Sequence, residues 1–429
     1  MKKILKLSTL FALIATIVFS FAACAGGGVG GGGTSSKNLF RIGIEERADE
    51  NEMMTSLIAG FKKENPDVTI EMKTEVYSGN YSDKLISQAS AGALPDLFFT
   101  LDTLVGYFAS KKITVDLSDY FQTYGFSTDL IYEEVAQVGK VGEEIHMLGR
   151  EYSQVVVYYN KAIFDAAGQS YPTESWTWND MISAARQLVQ KDGNVVTRAG
   201  IDMRLNWPVT MLQYFTGKNG TILNAEGSAG SINAEARSAY TELRDLVKEG
   251  VILDTFGNTG LSFMSSNVGM YFGVRSDAPT VNKSLAEWDV VHVPDMDNHV
   301  VSLGASGYSV SALSPHKELA IRFLFYIMSE SGQTILAKSG NVVPALKSLA
   351  DSADWTSQPK SGINYQAFLQ EEGVTKVYPV SYYLKDASKT NKLTDALNKL
   401  VTSPILSTTG TIPDSTWTSY ETQLTNALR

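Results

Sequence analysis

One cysteine in 429 residues, Cys24, excludes any intramolecular disulfide. Histidine is almost as scarce. His146, His292, His299 and His316 stand far apart, and none has the paired spacing that a zinc hydrolase places on one helix. No basic run occurs and the formal charge is −10, a poor balance for gripping nucleic acid or an anionic surface. No glycine-rich loop joins a strand to a helix as phosphate binding needs. Gly304-Ala-Ser-Gly307 fails as a nucleophile elbow because Tyr308 follows it. Asp295, Asp297 and His299 begin like a calcium loop, but Val300 stands where that loop needs glycine. No internal repeat is present. The chain is expected to carry no cofactor and no metal, and to bind no nucleic acid.

What is present begins with the N-terminus. Lys2, Lys3 and Lys6 precede an apolar run from Leu7 to Phe21 and then Ala22-Ala23, the pattern of a cleaved secretory signal over residues 1–23. Its removal would leave a charge near −13. Phe21-Ala-Ala-Cys24 resembles a bacterial lipobox, in which the cysteine is acylated and becomes the new N-terminus. Residues 24–37, nearly all glycine and small polar residues, read as a flexible tether, and the folded body starts near Asn38. These features imply an extracytoplasmic protein held at the bacterial cell membrane by lipid.

The remaining length is too great for one ordinary core, so two domains are expected. Phe40–Ile44 reads as a strand. Met53, Met54, Leu57, Ile58 and Phe61 mark a helix face, and the alternation Val68, Ile70, Met72, Thr74, Val76 marks a second strand. A helix over 81–91 and a strand over 94–100 follow. Strands alternating with helices imply a parallel sheet, whose ligands sit beyond the strands' carboxyl ends: here Glu45–Arg47, Tyr77–Tyr81 and Thr100–Thr103. Residues 171–285 read as mostly helical, with a strand over 266–273; 288–294 and 300–311 read as strands, and Pro315 as a first-turn residue of a helix. Helical patterns recur over 392–400 and 415–427.

One stretch organises the rest. Gly149-Arg-Glu-Tyr-Ser153 leads into the apolar run Val155–Tyr159, a buried strand by composition and length. Asn160 caps a short helix stopped at Gly168, and Thr177 starts another with Trp178 at N1 and Asp180 at N3. This order resembles the extracellular solute-binding proteins of ABC importers, in particular the carbohydrate-binding family that includes maltose-binding protein. The resemblance runs through nearly the whole mature chain and is clearest at Ser314-Pro-His-Lys-Glu-Leu-Ala-Ile-Arg-Phe-Leu-Phe325.

It implies an α/β, two-lobed periplasmic-binding-protein-like type II fold with a hinge and an interlobe ligand cleft. Lobe one would comprise 38–150 and 290–328, and lobe two 151–289 and 329–429, with crossings near 150–153, 287–290 and 326–332. It implies a monomeric receptor that delivers a carbohydrate to ABC transporter permease subunits. Sugar rings need aromatic faces for their C–H surfaces and planar donors and acceptors for their hydroxyl rims. Carried over by position, Glu46, Arg47, Asp102, Tyr152 and Ser153 would bind ligand. Glu151 lies in the implied hinge, and Tyr77 at a strand's carboxyl end. Trp207, beside Arg204 in the loop Leu205-Asn-Trp-Pro208, falls where the family places a stacking aromatic, and Tyr382 and Tyr383 where it offers another. Gly273-Val-Arg-Ser276 departs from the family's pattern, which makes Arg275 a candidate substitute for a missing ring. The rival class is a secreted carbohydrate-active hydrolase using Glu46 or Asp102, although the adjacent carboxylates Glu45-Glu46, Glu143-Glu144 and Glu371-Glu372 cannot face one another across a bond.

Overall fold

The computed structural model describes residues 38–47, 50–255, 257, 259–304, 306–369, 374–377, 389–402 and 409–429. The signal segment, Cys24 and the tether lie outside the described residues, as do Glu371, Glu372, Tyr382 and Tyr383.

Two five-stranded sheets form the body. In the first, Glu71–Tyr77, Leu39–Glu45 and Leu97–Leu101 run parallel, joined in chain order by helices Glu50–Glu64 and Tyr81–Ser90 as the alternating pattern requires. Ser306–Val310 then pairs antiparallel with Leu97–Leu101, and Leu148–Gly149 pairs antiparallel with Ser306–Val310. A late segment is thus inserted into the first sheet. Glu71–Tyr77 is the edge strand, and there the alternation lapses: Val76 is 47% exposed.

The second sheet runs Trp288–His292, Val156–Asn160, Val268–Gly273, Val195–Asp202, Gln190–Asp192. The interior strand Val156–Asn160 has two buried faces, which explains its unbroken apolar run. Val156 and Tyr158 face the Trp288, Trp355 and Phe368 side, while Val157 and Tyr159 face the helices. The flanking caps form as expected. Asn160 Oδ1 accepts from Ile163 N at 3.3 Å, and Thr177 and Asp180 close a capping box. Trp176 and Trp178 are buried packing residues.

Three expectations need correction. The segment 171–285 is less helical than expected: the strand over 266–273 forms, as Val268–Gly273, but it pairs in parallel with a further strand, Val195–Asp202, inside the second sheet. Pro315 precedes its helix, which starts at Lys317. The lobe boundaries also move. Trp288–His292 is bonded along its length to Val156–Asn160, Asp295 bonds to Trp176 and Trp178, and Ser302 bonds to Val209 and Gln213, so the chain leaves the second lobe only after Ser302, not at 290. Helix Glu330–Lys338 packs on helices Glu50–Glu64 and Lys317–Ile327 of the first lobe, and Val343–Pro344 pairs with Glu151–Tyr152. The third passage is therefore 345–369, which ends against strand Trp288–His292, and not 326–332. Apolar periodicity identifies a helix but not the sheet it covers, which is why these boundaries slipped.

Candidate functional site

A cavity of about 590 Å³ lies between the two sheets, floored by the passages that join them. Those passages are laced together by main-chain bonds: Arg150 N donates to Ser306 O (3.1 Å), Gly304 N to Ser153 O (2.8 Å) and Val155 N to Ser302 O (2.9 Å). On the far side, helix Thr390–Thr402 of the second lobe packs against helix Asp102–Ser110 of the first, and Thr394 reaches the cavity.

The first-lobe wall is built on a buried ion pair. Glu50 opens helix Glu50–Glu64, where the helix dipole favours a carboxylate. It accepts from Arg150 Nη1 at 2.6 Å and from the Tyr308 hydroxyl at 3.2 Å, and Tyr308 in turn accepts from Arg150 at 3.2 Å. Arg150 is 1% exposed, with its guanidinium 4.7 Å from the centre of the Phe99 ring. Burial alone would weaken its hold on the proton, but Glu50, Tyr308 and Glu151 outweigh that and raise its pKa well above the ordinary value. Glu151 accepts from Ser306 Oγ at 2.6 Å. Two donors on this wall, Arg150 Nε and Asn341 Nδ2, are buried without a protein acceptor among the described residues. Such donors call for oxygen from water or a ligand.

The second-lobe wall is shallower. Arg204 adopts a left-handed backbone (φ 50°), fixed by its N–H donating to Asp202 Oδ1 at 2.7 Å. This turn brings its guanidinium over the Trp207 ring, 4.4 Å from the centroid, and within 3.2 Å of Asp277 Oδ2. Desolvation lowers the Arg204 pKa, but Tyr271, Asp277 and Asp202 more than compensate. Burial raises that of Asp202. Pro208 at N1 starts helix Pro208–Gly217 directly after Trp207, so the ring sits where chain direction changes.

Of the residues expected at the site, Arg47, Asp102, Glu151, Ser153, Arg204 and Trp207 line the cavity. Glu46 does not; it is exposed in the turn just past strand Leu39–Glu45. Tyr77, on the edge strand, donates its hydroxyl to Glu75 at 2.7 Å. Tyr152 is fully buried, with its hydroxyl on Gln154 Oε1 at 3.0 Å and its ring against Tyr132. Arg275 is no substitute platform. It is 1% exposed, donates to the carbonyls of Trp355 (3.0 Å) and Gln358 (2.6 Å), and lies 4.5 Å from the Tyr365 ring centre. Its neighbours Ser276 and Asp277 line the cavity instead. Tyr382 lies outside the described residues. Sequence reasoning missed Glu50, Asn341 and Thr394, and covered Arg150 only as part of the stretch 149–153 implied to be hinge and cleft wall. Glu50 carries no local mark, because its partner is 100 residues away.

The chain belongs to the bacterial extracellular solute-binding protein family, whose model matches residues 56–362. It is 21% identical over 383 residues to the galactooligosaccharide-binding protein of Bacillus subtilis (strain 168), covering 86% of this chain and 88% of that one. It is 24% identical over 214 residues to iron uptake protein A1 of Synechocystis, covering 48% and 53%. Among solved structures it resembles an ABC substrate-binding protein from Listeria monocytogenes in complex with cycloalternan (TM-score 0.75, 20% identity, 91% of this chain and 97% of that one). The fold is thus that of two-lobed ABC-importer binding proteins.

Proposed function

We propose that this chain is the substrate-binding lipoprotein of an ABC importer, which captures an oligosaccharide between its lobes and hands it to membrane permease subunits. The observation that carries this reading is the composition of the cleft. Guanidiniums, carboxylates, hydroxyls and an amide surround a half-buried tryptophan, in a volume typical of small-molecule sites (about 300–1,000 Å³). Ring faces and hydroxyl rims of a sugar need that mixture. The match to the galactooligosaccharide-binding protein spans nearly the whole of both chains, whereas that to the iron uptake protein spans about half of each. Among the described residues, no group of three or more His, Cys, Asp or Glu could hold a metal ion. The chain works as a receptor and catalyses nothing; the hydrolase reading finds no support in relatives that are binding proteins.

A thermal-shift screen against mono- and oligosaccharides tests this, run beside an assay for new reducing ends. Stabilisation by at least one oligosaccharide without cleavage is expected; no response to any sugar would overturn the reading. Small-angle scattering should show a smaller radius of gyration with the stabilising sugar, since ligand selects the closed form. Cys24→Ser should abolish acylation and move the protein from the detergent phase to the soluble fraction. Equal membrane retention of that variant would refute the anchor.

A further inference from the structure

Gln154 does not line the cavity, yet it touches all three passages between the lobes. It belongs to the first, 150–155. Its backbone pairs with Leu303 in the second. Its side chain, on a residue 2% exposed, reaches the third, where Nε2 donates to Ala367 O at 2.7 Å and to Leu369 O at 2.9 Å. Both amide hydrogens are thereby used. The remaining oxygen accepts from the Tyr152 hydroxyl at 3.0 Å.

The two ends of this network are anchored in different lobes. The Tyr152 ring lies 4.6 Å from that of Tyr132, whose N–H donates to Ala345 O, and Tyr152 itself pairs with Val343. That side is continuous with the first lobe. The Ala367 carbonyl belongs to the turn Tyr365–Phe368, which packs on strand Trp288–His292 of the second sheet. We propose that Gln154 is the positioning residue of the hinge: it locks the three passages into one unit and thereby sets the balance between open and closed clefts. The proposal rests on the two-lobed receptor reading. Rotation of one lobe against the other must either shear these bonds or leave the unit intact and turn beside it. Gly304, which lacks a β-carbon and donates its N–H to Ser153 O, offers the adjacent point for turning. A carboxylate or apolar side chain at 154 could not replace the amide, because two carbonyl oxygens there need donors.

The test needs no ligand, so a failed sugar screen and a failed hinge proposal remain distinguishable. Spin labels are placed at Ser90→Cys on the first lobe and Lys191→Cys on the second, both exposed positions, in a Cys24→Ser background. Their distance distribution is read by pulsed electron resonance. Gln154→Met should broaden the ligand-free distribution to about twice its width, because the passages no longer move together. Ile42→Val, a first-lobe core control, should lower the melting temperature and keep the parental width. Parental width in Gln154→Met, or equal broadening in the control, would overturn the proposal. Should Gln154→Met fail to fold, Tyr152→Phe removes only the hydroxyl bond and should broaden the distribution less, in the same sense. Parental width there would equally overturn it.

Discussion

The two walls of the cleft carry the same kinds of group at different depths. On the first lobe, Arg150, Glu50 and Phe99 form a stack of guanidinium, carboxylate and ring that is almost wholly buried. On the second, Arg204, Asp277 and Trp207 repeat that set half-exposed, with a longer ion pair of 3.2 Å. A buried pair has given up its water and depends on its partner, whereas a half-exposed one keeps solvent as an alternative. The first wall is therefore a fixed surface. The second can rearrange, and the face of Trp207 that Arg204 covers can be offered to a sugar only by moving the guanidinium.

Deleting one partner of each pair separates the two walls. Arg150→Met strands the Glu50 carboxylate in the core and should cost about 3–5 kcal/mol of stability in urea denaturation. Glu50→Gln added to it should recover a large part, since the uncompensated charge is gone. A loss below about 1 kcal/mol from Arg150→Met alone would show the first wall to be as adaptable as the second.

Trp207→Ala comes next in size. A ring stacked on indole gains about 1–2 kcal/mol, so affinity for the sugar found by screening should fall roughly ten- to thirty-fold. Because the ring also packs on the second-lobe core, stability should fall too, by less than the ~3–5 kcal/mol of a fully buried Trp. Full affinity in calorimetry would make Trp207 structural.

Asp277→Asn should act more gently. It weakens the pair with Arg204 but keeps an acceptor for Val274 N. A half-exposed pair is worth about 0–1 kcal/mol, so affinity should change by up to about five-fold, with little loss of stability. A hundred-fold change would place Arg204 in the same class as Arg150.

The smallest effect concerns Asp202, behind Arg204. Burial raises its carboxyl pKa above the ordinary 3.8. The folded state then binds this proton more tightly than the unfolded chain does. Asp202 therefore lowers stability as pH rises from about 3.8 through its raised value, and Asp202→Asn should flatten that part of the pH–stability curve. An unchanged slope would mean that the Asp202 carboxyl is not perturbed by its burial.

Local signals in the chain read well where one element supplies all the information. The double-faced apolar run at Val155–Tyr159 forms the interior strand Val156–Asn160, and the caps at Asn160 and Thr177 form as their side chains dictate. The turns after strands Leu39–Glu45 and Leu97–Leu101 reach the cleft through Arg47 and Asp102, as parallel-sheet geometry requires. Tyr77 fails the same rule because its strand is at the sheet edge, where its hydroxyl finds Glu75 before it finds the cleft. Arg275 fails because a guanidinium can be buried under aromatic rings as readily as presented on them, and nothing local distinguishes the two.

The amino-acid sequence by itself determined the alternation of strands and helices in the first sheet, the caps around the strand at 156–160 and the family resemblance, because periodicity, capping and turn chemistry act over a few residues. Only the tertiary structure decided which charges became wall and which became core. Glu50 meets Arg150 across 100 residues, Gln154 meets Leu369 across 215, and the late strand Ser306–Val310 enters a sheet begun at Leu39. Those pairings depend on chain crossings whose ends carry no local mark, so the site's buried half existed only once the lobes were joined.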